Sequence, residues 1–268
     1  MKKYFYQFLA LTFGLTWGIA AFLILLPDLA LSLFGELSST NPLFIIAVYS
    51  PGFAGVFLVW RLYGLKGLKR FFKRLLLWRG PLWGWLFVIL GIPLIMYLGA
   101  ALAGNLGEPF PFSPWHTVFS VLVLALLLGP IEEFGWRGFA LPLLQRRFAP
   151  FWAGTILGII WMIWHIPAFL ISGTIQSAWS FAPYFVGGVA ASLIMTVLFN
   201  NFRGSLLIMV ILHFQMNNPI WPDAQPWDNL FMAIAAVIVV WFHRKTIFIR
   251  GSGVTDLLAP EKTSANPS

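Results

Sequence analysis

The feature that most constrains this chain is a succession of apolar stretches, each close to the ~20 residues that a helix needs to cross a hydrocarbon layer. They lie near 5–26, 43–62, 82–103, 116–136, 151–171, 181–200, 204–220 and 229–243. Lipid offers no partner to backbone N–H and C=O groups, so a segment of this kind must satisfy them internally as a helix. The expected fold is therefore all-α, a polytopic transmembrane bundle of about eight helices. The chain is 59% hydrophobic and 10% charged, and no polar block is large enough for a second domain. We read one integral membrane domain over 1–250, followed by a polar tail, 251–268, expected to be disordered. The apolar run after Met1-Lys2-Lys3 lacks a clear small-x-small cleavage site and is read as an uncleaved first span.

The basic residues orient the bundle. With a cytoplasmic N-terminus, eight crossings return the C-terminus to the cytoplasm. The inside segments then hold every Lys and Arg except Arg137, which lies within the fourth span. The outside loops hold Asp28, Glu36, Glu108, Asp223 and Asp228 and no basic residue. This is the positive-inside asymmetry, and both termini are expected in the cytoplasm. It also accounts for the net charge of +8 without nucleic acid as a partner. Near 65–78, Leu and Phe alternate with Lys and Arg at helical spacing, which predicts a basic amphipathic helix on the cytoplasmic leaflet. The chain has no cysteine, which excludes disulfides, thiolate catalysis and thiolate metal ligands.

Against this apolar background a few polar residues stand out. Glu132, Glu133 and Arg137 fall within a stretch otherwise suited to lipid, where a charge costs at least ~2.5–3.5 kcal/mol unless it faces a polar interior or a partner. Glu133 and Arg137 are four apart and share a helix face, so they predict an ion pair. Glu132 points about 100° away and is left without that partner. His165 lies deep in the fifth span, with Trp161 one turn before it, positioned to pack on or orient the imidazole. His213 and Asn217 are four apart on one face of the seventh. At 1.5 Å per residue His165 lies ~21 Å and His213 ~14 Å from the cytoplasmic starts of their spans, and Glu132 up to ~21 Å before Arg146. The three can meet at similar depth, reachable from one side.

These stretches resemble the three motifs of the CPBP intramembrane protease family, which includes the type 2 CAAX prenyl proteases and bacterial Abi-type proteins. Glu-Glu-x-x-x-Arg is matched in full by Glu132–Arg137. Phe-x-x-x-His is met by Trp161-x-x-x-His165, with a different aromatic, and His-x-x-x-Asn by His213-x-x-x-Asn217. The motif-bearing region covers 118–219. The resemblance implies a peptide-bond hydrolase in which Glu132 activates a water that His165 helps hold. It further implies that His213 and Asn217 form an oxyanion hole, with Glu133, Arg137 and Trp161 in support. No cofactor is favoured, although Glu132, His165 and His213 offer a possible zinc set. The expected partners are the lipid bilayer and a lipidated or membrane-embedded peptide or protein substrate. The expected location is a prokaryotic cell membrane, multi-pass, with an intramembrane site reached from the cytoplasmic side. Two other functions fit the same spans: a membrane scaffold or bacteriocin-immunity-type binding protein, and a proton-coupled transporter. The second is disfavoured by the lack of two halves with matching interrupted spans.

Overall fold

The computed structural model describes residues 2–259, and among these the chain is helical throughout, without a strand. Eight elements carry the fold: α1 (Lys2–Leu25), α2 (Pro42–Leu76), α3 (Leu82–Ala103), α4 (Thr117–Gln145), α5 (Pro150–Leu170), α6 (Phe181–Asn201), α7 (Leu206–Met216) and α8 (Trp227–Phe242). The first six are long and apolar enough to cross a membrane. The last two match the remaining expected spans but are shorter, at 11 and 16 residues. Among long loops, 217–226 is held by local bonds, with the Trp221 indole donating to Gln215 O at 2.8 Å.

Small and hydroxylated residues join the helices, as expected where lipid supplies no hydrophobic drive between them. On α2, Gly52 and Gly55 press against the backbone of α4: a Cβ at Gly55 would lie 2.8 Å from Gly135 Cα, and one at Gly135 would lie 2.1 Å from Pro51 O. Backbone therefore meets backbone beside the motif of α4. Ser50 of α2 donates to Thr12 O of α1 at 3.2 Å, and Thr16 Oγ1 accepts the indole of Trp164 from α5 at 2.9 Å.

The expected amphipathic segment is present in altered form. α2 breaks at Gly64, where φ is +64°, a conformation that favours glycine, and the chain then runs helically to Phe72. Leu65, Leu76 and Trp78 are exposed, but Phe71 and Arg74 turn inward and are buried. Arg74, read from the sequence as one more surface charge, donates to Gly204 O and Gly138 O at 2.8 Å each and to Leu257 O at 3.2 Å.

That last bond bears on the tail. Expected to be disordered from 251 onward, it is instead held as far as Ala259, the last described residue. Gln145 donates to Val254 O at 2.8 Å, Arg146 to Thr255 O at 2.9 Å and Arg70 to Ala259 O at 2.9 Å, while Leu257 and Ala259 are buried. The acceptors are backbone carbonyls of Val254, Thr255, Leu257 and Ala259, which a polar or apolar sequence supplies alike. The rest of the expected tail, 260–268, lies outside the described residues.

The last described segment is tied to the ends of α2, α4 and α6 through Arg70, Gln145 and Asn200, and the crossings place the start of α1 on the same face. The loops of the opposite face also meet one another: Asn105 donates to Asp223 O at 2.9 Å.

Candidate active site

The site is built where α4 stops being a regular helix. Pro130 lacks an N–H and Leu128 leaves the helical region, with φ −80° and ψ −83°. A tight 3-10 turn follows over Gly129–Glu132 and a wider π-type turn over Trp136–Ala140, a form often found at functional positions. These two irregularities rotate Glu132 and Arg137 inward together with Glu133. Glu133 and Arg137 are fully buried, and Glu132 is 4% exposed.

The expected pair is formed: Arg137 Nη1 donates to Glu133 Oε1 at 2.9 Å. The same oxygen also receives His213 Nδ1 at 2.7 Å, so the carboxylate joins α4 to α7. The Arg137 guanidinium lies 4.3 Å from the ring centre of Trp161, a cation–π contact in dry surroundings. Trp161 therefore does more than pack on His165. Its indole N–H donates to Glu132 Oε2 at 3.0 Å, so the carboxylate that looked unpartnered in the sequence has a donor from another helix. The one-turn spacing to His165 is also used, but through the backbone: His165 Nδ1 meets Trp161 O at 2.8 Å.

These partners decide the imidazole tautomers. A carbonyl oxygen only accepts, so His165 Nδ1 carries its hydrogen and, in the neutral ring, Nε2 presents a lone pair. An ionised carboxylate likewise only accepts, so His213 Nδ1–H points at Glu133. Its Nε2 donates only if the ring is doubly protonated.

Glu132, Trp161, His165, His213 and Asn217 all line one cavity of about 860 Å³. Gly129 lies in its wall, where a Cβ would come within 2.5 Å of Asn217 Nδ2 and 3.0 Å of His213 Nε2. Those two nitrogens thus converge on one point beside the backbone. Asn217 is exposed to the cavity, whereas its neighbour Asn218 is buried and occupied with Gln215 and Ile220 N. Tyr184 of α6 also lines the cavity, with its ring 5.5 Å from that of His165. No motif spacing in the sequence points to Tyr184 or to Gly129; each is found only by what it touches.

Among the described residues no three His, Asp or Glu side chains come together as a metal-ligand group. Glu132, His165 and His213, the set considered for zinc from the sequence, all line the cavity.

The cavity also reaches the loops between helices. Its lining includes Leu37 and Ser39, Thr174–Gln176 with Ala178 and Trp179, and Asn217–Pro219 with Trp221–Gln225, in the turns joining α1 to α2, α5 to α6 and α7 to α8.

Residues 114–218, which contain all three motifs, match the family described as Rce1-like type II CAAX prenyl endopeptidases. The chain is also 29% identical over 139 residues to the CAAX prenyl protease 2 of Methanococcus maripaludis, a match covering 48% of this chain and 51% of that protein. The aligned part is thus about half the length of the relative. These matches make the motif-bearing part of the chain similar to the CAAX protease-like membrane proteins, and they fall on the cavity that Glu132, Trp161, His165, His213 and Asn217 line.

Proposed function

We propose that this protein is an intramembrane endopeptidase that hydrolyses a peptide bond of a lipidated or membrane-anchored substrate. The observation that carries the reading is the convergence of Glu132, His165, His213 and Asn217, from three helices, on one cavity inside an otherwise apolar bundle. A relative named for action on prenylated CAAX proteins supports a lipid-bearing substrate.

In the proposed reaction a water sits between Glu132 and the lone pair of His165 Nε2. Glu132 takes one of its protons as the oxygen attacks the scissile carbonyl carbon. Negative charge gathers on the carbonyl oxygen, which lies against the donors facing Gly129: the Asn217 amide and His213 Nε2–H. The second donor requires a doubly protonated His213. Glu132 next returns its proton to the departing amine as the C–N bond breaks, giving a carboxylate and a free N-terminus. Donors held ready for such an oxyanion are each worth ~3–4 kcal/mol in known enzymes, because a dry site leaves little competing solvent. Glu133 and Arg137 act behind this machinery: Glu133 holds His213 Nδ1, and Arg137 holds Glu133.

The test is cleavage of a library of lipid-anchored peptides by the purified protein, comparing wild type with Glu132→Gln, each with and without a chelator. Activity abolished by the substitution but kept in chelator supports the metal-free glutamate mechanism. Loss of wild-type activity in chelator returns a metal to the site. Cleavage by the Glu132→Gln protein at the wild-type rate refutes the role of Glu132.

A further inference from the structure

We infer that the site works on the non-cytoplasmic side of the membrane, receiving substrate from the leaflet and aqueous phase opposite the basic face. The inference rests on the protease reading for its chemistry and adds where the substrate must be.

Three independent observations agree. The first is the cavity mouth. Its lining takes in Leu37 and Ser39, Thr174–Gln176 with Ala178 and Trp179, and Asn217–Pro219 with Trp221–Gln225, which belong to the turns joining α1 to α2, α5 to α6 and α7 to α8. All three are on the face that neither terminus occupies.

The second is depth. His165 is one residue past the end of the regular part of α5, Pro150–Trp164, and five residues before Leu170. His213 is three residues before the end of α7 at Met216. At 1.5 Å per residue both imidazoles lie within ~8 Å of the far ends of their helices, against ~21 Å back to the start of α5 for His165. α7 is too short to cross a ~30 Å core, so the non-helical chain after it dips inward, as is tolerated where backbone lines a water-filled cavity.

The third is charge. Among the described residues every Lys and Arg outside the site lies on the face of the termini or at its edge, and several are tied there by the bonds of Arg70, Arg74 and Arg146 to the chain's last segment. The cavity is lined by Glu132, Asp223 and Asp228 and by no Lys or Arg. Cytoplasmic loops collect Lys and Arg, so the basic face is inside and the cavity opens to the other side. The fitting substrate is a peptide whose apolar or lipid-bearing segment sits in the outer leaflet, with its scissile bond reaching ~8 Å or so below that surface.

The chain has no cysteine, so a single introduced thiol reports one place without background. Ser177→Cys marks the exposed turn between α5 and α6, Ala168→Cys the cavity wall one turn beyond His165, and Ser252→Cys the basic face. Each is expressed in intact cells and treated with a membrane-impermeant maleimide, before and after permeabilisation, with a thermal melt confirming that each variant is folded. We expect Ser177→Cys and Ala168→Cys to be labelled in intact cells, and Ser252→Cys only after permeabilisation. The reverse pattern overturns the inference, as does an Ala168→Cys protein that stays unlabelled until permeabilisation while Ser177→Cys reacts. Labelling needs no turnover, so this result stands apart from the cleavage test of Glu132.

Discussion

Replacing Trp161 with Phe tests the least expected feature of the site, an indole that serves the carboxylate of another helix. The change deletes one N–H and keeps a ring for Arg137 to lie over. The lost bond is 3.0 Å long and ends on a carboxylate that is 4% exposed, so water cannot readily take the donor's place. A hydrogen bond to a charged group is worth ~1.5–3 kcal/mol. If that energy holds Glu132 in its reactive position, kcat falls ~10–150-fold at one decade per ~1.36 kcal/mol, while KM changes little. The assay is steady-state cleavage of an anchored fluorogenic peptide in detergent, with a thermal melt of each variant. Trp85→Phe is the control, since it deletes an indole bond of 3.2 Å to Trp78 O far from the cavity and leaves turnover unchanged. A Trp161→Phe enzyme with kcat within twofold of wild type would refute the positioning role.

Three further outcomes follow from the same contacts. Asn217→Ala removes one of the two donors facing Gly129 and should lower kcat ~10²–10³-fold with KM nearly constant, measured in the same peptide assay. Gly135→Ala places a methyl 2.1 Å from Pro51 O, backbone rather than a side chain that can swing away, and should cost ~1–3 kcal/mol or more, seen as a lowered melting temperature in detergent. Arg74→Leu leaves the carbonyls of Gly138, Gly204 and Leu257 without their donor, at ~1–3 kcal/mol for each that stays dry. It should also free the last described segment, so limited proteolysis is expected to cut near 252–259 in the variant and not in the wild type.

What the sequence determined by itself is the set of properties that depend on composition along one helix. The apolar runs required membrane helices because no other structure satisfies the backbone in lipid. The spacing of Glu133 and Arg137 predicted their ion pair, since residues four apart share a helix face. Of the motif residues, Glu132, Trp161, His165, His213 and Asn217 line one cavity, with Glu133 and Arg137 buried behind it. Properties set by neighbours remote in the chain had no such signal. Trp161 and Glu132 are 29 apart and meet only because α5 packs on α4. Arg74 looks like any basic loop residue until three carbonyls from separate segments enclose it, and the polar tail looks solvated until those same basic residues bind it. Tyr184 and Gly129 carry no spacing that marks them. The surroundings of the cavity were likewise decided by tertiary structure: a helix pattern gives the depth of a histidine, but only the packed chain shows which turns line the space around it.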